Sequence, residues 1–170
     1  MKRLSRTVAS VIAAITMAAG FTVVAASADT LVLTHNCGGI WTPLHTRVIE
    51  TTISAPATAS PGQTITVTVN RIVDRNNVQS EARPAGYWKA TARVRFGEGP
   101  DQWFETTRMS SPALQAGEYF RVENGTAQVT MPASGQLDFR PAGWLLSPNP
   151  GWMCWPKDQP VPVAATTRVQ

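Results

Sequence analysis

The chain has 170 residues, a formal charge of +4 and a sequence pI near 9.6. Those totals alone suggest a small basic protein drawn to polyanions. The basic excess sits at one end: Lys2, Arg3 and Arg6 precede a stretch with no further charge until Asp29. Without them, twelve Lys and Arg face eleven Asp and Glu, which removes the electrostatic case for a nucleic-acid partner.

That first segment has the three parts of a secretory signal: a cationic start, the apolar run Val8 to Val24, and the small-residue exit Ala26-Ser27-Ala28. The expected cut falls between Ala28 and Asp29. An uncleaved membrane anchor is the competing reading, because the charge-free stretch is long enough to span a bilayer. The Ala-x-Ala exit favours cleavage. No second apolar stretch of that length follows, so the product is expected to be secreted, with no membrane association after cleavage. The organisation is then a signal peptide over 1–28, one β-sandwich domain over 29–162 and a C-terminal tail over 163–170. About 140 residues suit one domain with its own core rather than two.

Strand patterns follow in chain order. A first strand is expected around Arg47 to Ile53. The small, proline-punctuated run Ser54 to Gln63 then turns the chain. Ile65, Val67 and Val69 alternate with Thr64, Thr66, Thr68 and Asn70, the period of a half-buried strand. Tyr87 to Phe96 is the next, with Trp88, Ala90, Ala92, Val94 and Phe96 on one face and Tyr87, Lys89, Thr91, Arg93 and Arg95 on the other. Gln102 to Met109 reads as a strand whose inner side the pattern leaves open. Asn124-Gly125 matches a two-residue type I′ turn, so Tyr119 to Met131 is expected to form a hairpin, with Val122 opposite Ala127 and Phe120 opposite Val129. The same turn accounts for the Asn124-Gly125-Thr126 glycosylation pattern without a sugar. Leu137 and Phe139 read as a short strand ending at Pro141. Ala142 to Pro162 reads as irregular structure. No helical period of useful length appears after the signal, and the class is all-β, an immunoglobulin-like antiparallel β-sandwich.

Cys37 and Cys154 are the only cysteines. In an oxidising compartment an even pair is most simply a disulfide, here tying the first structured segment to the last. A metal site using His35, Cys37 and His45 is the alternative, but a closed zinc site needs a further ligand. No metal and no cofactor is expected.

Enzyme signatures are missing: there is no Gly-x-Ser-x-Gly elbow, phosphate loop or His-Glu-x-x-His stretch. Glu98, Asp101 and Glu105 cluster near one loop, the residue types of glycoside chemistry, although a solvated strand connection accounts for them too. Six tryptophans, Trp41, Trp88, Trp103, Trp144, Trp152 and Trp155, all follow the signal. Flat indoles stack on sugar rings or anchor interfaces. Trp88 reads as core. Trp144, Trp152 and Trp155 are the candidate ligand-binding platform, with packing around the disulfide as the alternative. Lys89, Arg93 and Arg95 form a basic stripe suited to water or to an anionic envelope polymer.

Cys37, the Ala55-Pro56-Ala57-Thr58-Ala59-Ser60-Pro61-Gly62-Gln63 turn with its following strand, Met131-Pro132-Ala133-Ser134-Gly135 and the late Cys154 form one pattern. It resembles a loose group of secreted actinobacterial proteins with Cys-bracketed, immunoglobulin-like sandwiches and no assigned activity. The resemblance carries over no functional residue. The expected role is non-enzymatic binding outside the cell, with cell-wall polysaccharide or an extracellular protein as partner. A carbohydrate-binding module using Trp144, Trp152 or Trp155 and a small secreted hydrolase are the alternatives.

Overall fold

The computed structural model describes residues 26–39, 42–97, 102–147 and 151–170. In chain order the strands are β1 (Ala26–Gly39), β2 (Thr42–Pro56), β3 (Thr58–Ala59), β4 (Thr64–Val78), β5 (Lys89–Phe96), β6 (Trp103–Glu105), β7 (Met109–Ser110), β8 (Tyr119–Thr130), β9 (Gln136–Ser147), β10 (Met153–Pro156) and β11 (Ala165–Val169). All belong to one 11-stranded sheet, ordered β3-β11-β9-β10-β1-β2-β4-β8-β7-β5-β6. A further pairing of β9 with β5 joins two distant members of that order. The sheet therefore closes on itself through β9, β10, β1, β2, β4, β8, β7 and β5, by short pairings at two seams: β10 meets β1 over residues 35–38 and β7 meets β8 at Glu123.

The inner face holds the core. Ile49 and Ile53 of β2, Val67, Val69 and Ile72 of β4, Ala90, Ala92 and Val94 of β5, and Phe120 and Val122 of β8 are all buried. Each large aliphatic or aromatic among them contributes about 1.5–3 kcal/mol relative to exposure. Phe120 stacks on Trp144 of β9 across the interior, with ring centroids 5.6 Å apart. The expected inner faces of β4 and β5 are thus the observed ones.

The strand faces are set by three one-residue phase changes, and these also overturn the predicted hairpin. Tyr119 to Thr130 is a single strand pairing with β4 along its length, Thr64 opposite Thr130 at one end and Asp74 opposite Phe120 further along. Phe120 and Val122 point inward at even positions, whereas Gly125 and Val129 are buried at odd ones. Asn124, at φ 66°, absorbs the switch. A tight turn and an in-line phase change require the same change of apolar parity, and here the ladder to β4 continues across it without a register shift, Val69 opposite Gly125 and Arg71 opposite Glu123. β4 switches at the same level: Val69 is buried, Asn70 and Arg71 both turn outward, and Ile72 is buried. The register with β2 shifts there, between Thr52 and Ile53.

The third switch lies in β9. The strand expected to stop at Pro141 runs on to Ser147, because its register with β5 shifts beside Pro141: Val94 faces Pro141 but Arg93 faces Gly143. The extra residue, Ala142, accommodates a proline that lacks a ladder N–H. A Cβ at Gly143 (φ 140°) would collide with the Cys154 carbonyl oxygen, so only glycine fits this close approach of β9 to β10.

The segment expected to be irregular therefore contains the end of β9 and all of β10. Gln102 to Met109 is broken into β6 and β7. The expected tail over 163–170 holds β11, paired with β9 and with β3, and its Thr167 is buried. β1 begins at Ala26, upstream of the expected cut, and the Asp29 amide donates to the Ala164 carbonyl at 2.9 Å.

Cys37 and Cys154 are directly opposite on β1 and β10 and form the expected disulfide, with Cα atoms 4.1 Å apart and 117 residues between them. Closing so long a loop restricts the unfolded chain by about 4–5 kcal/mol on the chain-entropy account. Cys37 is thereby withdrawn from the metal alternative. His35 of β1 is buried inside the sheet, and its Nδ1–H donates to the Leu33 carbonyl at 3.2 Å.

Candidate functional site

The tryptophans are divided between core and surface. Trp144 is 2% exposed, turned inward by the Ala142 bulge, so it is a core residue and no platform of Trp144, Trp152 and Trp155 forms. Trp152 is half-buried against the core and lies near His45, ring centroids 6.5 Å apart. Trp155 alternates outward from Cys154 on β10 and is 36% exposed. Trp88 is half-buried; its Nε1–H donates to Gln79 Oε1 at 3.3 Å. Trp41 lies outside the described residues.

The most exposed described indole is Trp103 of β6, at 46%. The sequence pattern could not separate the two sides of this segment, because Phe104 and Trp103 are equally apolar. Pairing decides: Phe104 opposes the inward Val94, and Trp103 opposes the outward Arg95.

Arg93 is the centre of this outer face. Its guanidinium lies over the Trp103 ring, 4.6 Å from the centroid. Its Nε–H donates to Glu105 Oε1 at 3.0 Å, and its Nη1 lies 3.6 Å from the Met153 sulfur. Cation–π packing of this kind holds the indole in place while leaving its other face free. Across the sheet, Glu105 faces Arg93 and Arg93 faces Gly143. Cys154 faces Trp144, so Trp155 comes beside Gly143, and Trp155 in turn faces Asn36. Between Arg93 and Trp155, Gly143 is itself buried, and the half-buried Met153 side chain reaches Arg93 from β10. Three strand steps separate β6 from β10, roughly 14 Å. The result is a strip with an indole at each end and a cation near the middle.

The basic stripe Lys89, Arg93 and Arg95 does point outward, alternating with buried Ala90, Ala92 and Val94. Of the three carboxylates considered for hydrolysis, Glu105 is held by Arg93, while Glu98 and Asp101 lie outside the described residues. Among the described residues no helix is long and apolar enough to cross a membrane. Comparison with protein-family models, curated proteins and solved structures finds no match to this chain.

Proposed function

We propose that the chain is a secreted, non-enzymatic binding protein, working at or outside the cell envelope, whose outer strip from Trp103 through Arg93 to Trp155 takes a polysaccharide chain. The observation that carries this reading is the pair of exposed indoles set along one sheet face, one of them fixed by a cation. Indoles on a rigid sheet offer sugar rings flat apolar area at low entropy cost. Export is supported by the Cys37–Cys154 disulfide, which belongs to oxidising compartments, and by the signal-like first segment. Within this reading the closed sheet is a flattened immunoglobulin-like sandwich. Its layers β1-β2-β4-β8 and β5-β9-β10 meet across Phe120 and Trp144, and the wider group is that of secreted actinobacterial sandwiches.

Retention of the mature protein on insoluble cellulose, chitin and cell-wall preparations tests the proposal. Retention on at least one polymer is expected, falling at least tenfold in Trp103→Ala and in Trp155→Ala, with the fold intact by circular dichroism. Retention on none, or retention that both variants keep, rejects the strip as the binding site.

A further inference from the structure

The opposite outer face, made by β2, β4 and β8, carries a second constellation. Val73 lies at its centre, 9% exposed, facing Glu50 on β2 and Arg121 on β8. Arg71 and Arg75 stand two residues before and after it on the same face of β4. Without the extra residue at Asn70, Arg71, Val73 and Arg75 would follow the buried parity of Ile65, Val67 and Val69. The bulge exchanges them for Ile72 and Asp74 and turns the arginines outward.

Glu50 fixes both guanidiniums. It is 7% exposed; Arg71 Nη2 donates to its Oε1, and Arg75 donates to its Oε2 from Nε at 3.2 Å and from Nη2. The Arg75 hydrogen bond first, and then the charges of both arginines, hold the Glu50 carboxyl below its ordinary pKa despite burial. Arg121 pairs with Glu118 at 3.1 Å and Glu123 at 3.4 Å. These ion pairs leave N–H donors over on every guanidinium, and the side chains of Arg71 and Arg75 remain about half exposed. Together with Glu50, Glu118, Val73, Gly117 and the exposed Tyr119, the arginines line a groove of about 550 Å³.

We propose that this arginine ring around Val73 is a binding site for a carboxylate carried on a six-membered ring. The fork of a guanidinium matches a carboxylate. The groove has the volume of a small-molecule site rather than that of a single inorganic ion. Val73 and Tyr119 supply an apolar floor and an aromatic face for the ring that bears the acid. Glu50, Glu118 and Glu123 offset the charge of the three arginines, so recognition rests on the spare guanidinium N–H donors; Glu50 also holds two side chains that would otherwise lose rotamer freedom on binding. The site lies on the other side of the sheet from the tryptophan strip and does not depend on it.

Titration of the intact protein by calorimetry or amide chemical shifts, with glucuronate, benzoate, glucose and inorganic phosphate as probes, tests this. Saturable binding of glucuronate or benzoate is expected, with shifts at Val73, Tyr119 and Arg121, and none for glucose. Preference between the two acids tells a sugar acid from an aromatic one. Arg75→Gln should weaken binding about tenfold, as expected for losing a hydrogen bond to a charged group. If Arg75→Gln fails to fold because Glu50 is left half-paired, Arg121→Gln, whose own partners are solvent-accessible, should weaken binding several-fold. Lys89→Gln on the other face should leave affinity unchanged. Phosphate binding as tightly as both acids, binding of neither acid, or affinity indifferent to both arginine variants overturns the proposal.

Discussion

The two outer faces of the sheet are built by the same device with opposite results. On the β2-β4-β8 face, an extra residue at Asn70 turns arginines outward that the upstream alternation would bury. On the β5-β9-β10 face, an extra residue at Ala142 turns Trp144 inward that the upstream alternation would expose. One face is therefore a charge lattice held by a sunken carboxylate. The other keeps two of its indoles for solvent and gives a third to the core. A one-residue insertion in a strand decides which chemistry a surface shows, because side chains alternate with period two.

The sharpest way to break this contrast is to truncate the indoles separately. Trp144→Ala removes a buried aromatic stacked on Phe120 and should lower the unfolding free energy by about 3–5 kcal/mol. Trp155→Ala, on the adjacent strand but on its outer face, should change it by less than about 0.5 kcal/mol. Urea denaturation measures both. Similar losses would mean that Trp155 also belongs to the core.

The phase change of β8 comes next. Asn124 sits at φ 66°, where a β-branched side chain is strained. Asn124→Val should cost about 1–2 kcal/mol, while Asn124→Gly should be nearly neutral or slightly stabilising. Equal effects of the two substitutions would place the phase change of β8 elsewhere.

Acid separates the interior from the arginine face by pH. Burial lowers the pKa of His35 from its ordinary 6.5, against the weaker opposing effect of the Leu33 hydrogen bond. The unfolded chain then binds this proton more readily, so the associated stability is complete above pH 6.5 and declines as pH falls below it. Glu50 is held below its ordinary 4.5, so its contribution is complete above pH 4.5 and is lost further down. Melting temperature against pH should thus decline in two stages. His35→Gln removes the upper stage and Glu50→Gln reduces the lower, to which Glu118, also held below its ordinary value by the Gln115 amide and Arg121, contributes as well; an unchanged profile in both variants would contradict the assignment.

The inner faces of β5 and of β4 as far as Val69 were legible because β-branched and small residues alternate there without interruption. The disulfide was legible from the even cysteine count together with the expectation of export. The hairpin at Asn124-Gly125 was misread because a turn and an in-line phase change share the same parity change, and only the presence of a long partner strand tells them apart. Trp144 was misplaced for a related reason: Pro141 looks like a strand terminator until a bulge beside it restores the ladder. Trp103 was identified as an indole but not assigned to a face, since its neighbour Phe104 is just as apolar. The arginine ring escaped notice because Glu50, Arg71, Arg75 and Arg121 come from three strands whose register no local pattern reveals.

The pairing of Trp144 with Cys154 has an optical consequence. Directly opposed residues on adjacent strands bring their Cβ atoms within about 5 Å, and a disulfide accepts an electron from an excited indole. The buried, blue-emitting Trp144 should therefore be dark in the oxidised protein, leaving a red-shifted glow dominated by Trp103 and Trp155. Gentle reduction that spares the fold should brighten the emission and move it to the blue, which gives the molecule a built-in readout of its own redox state.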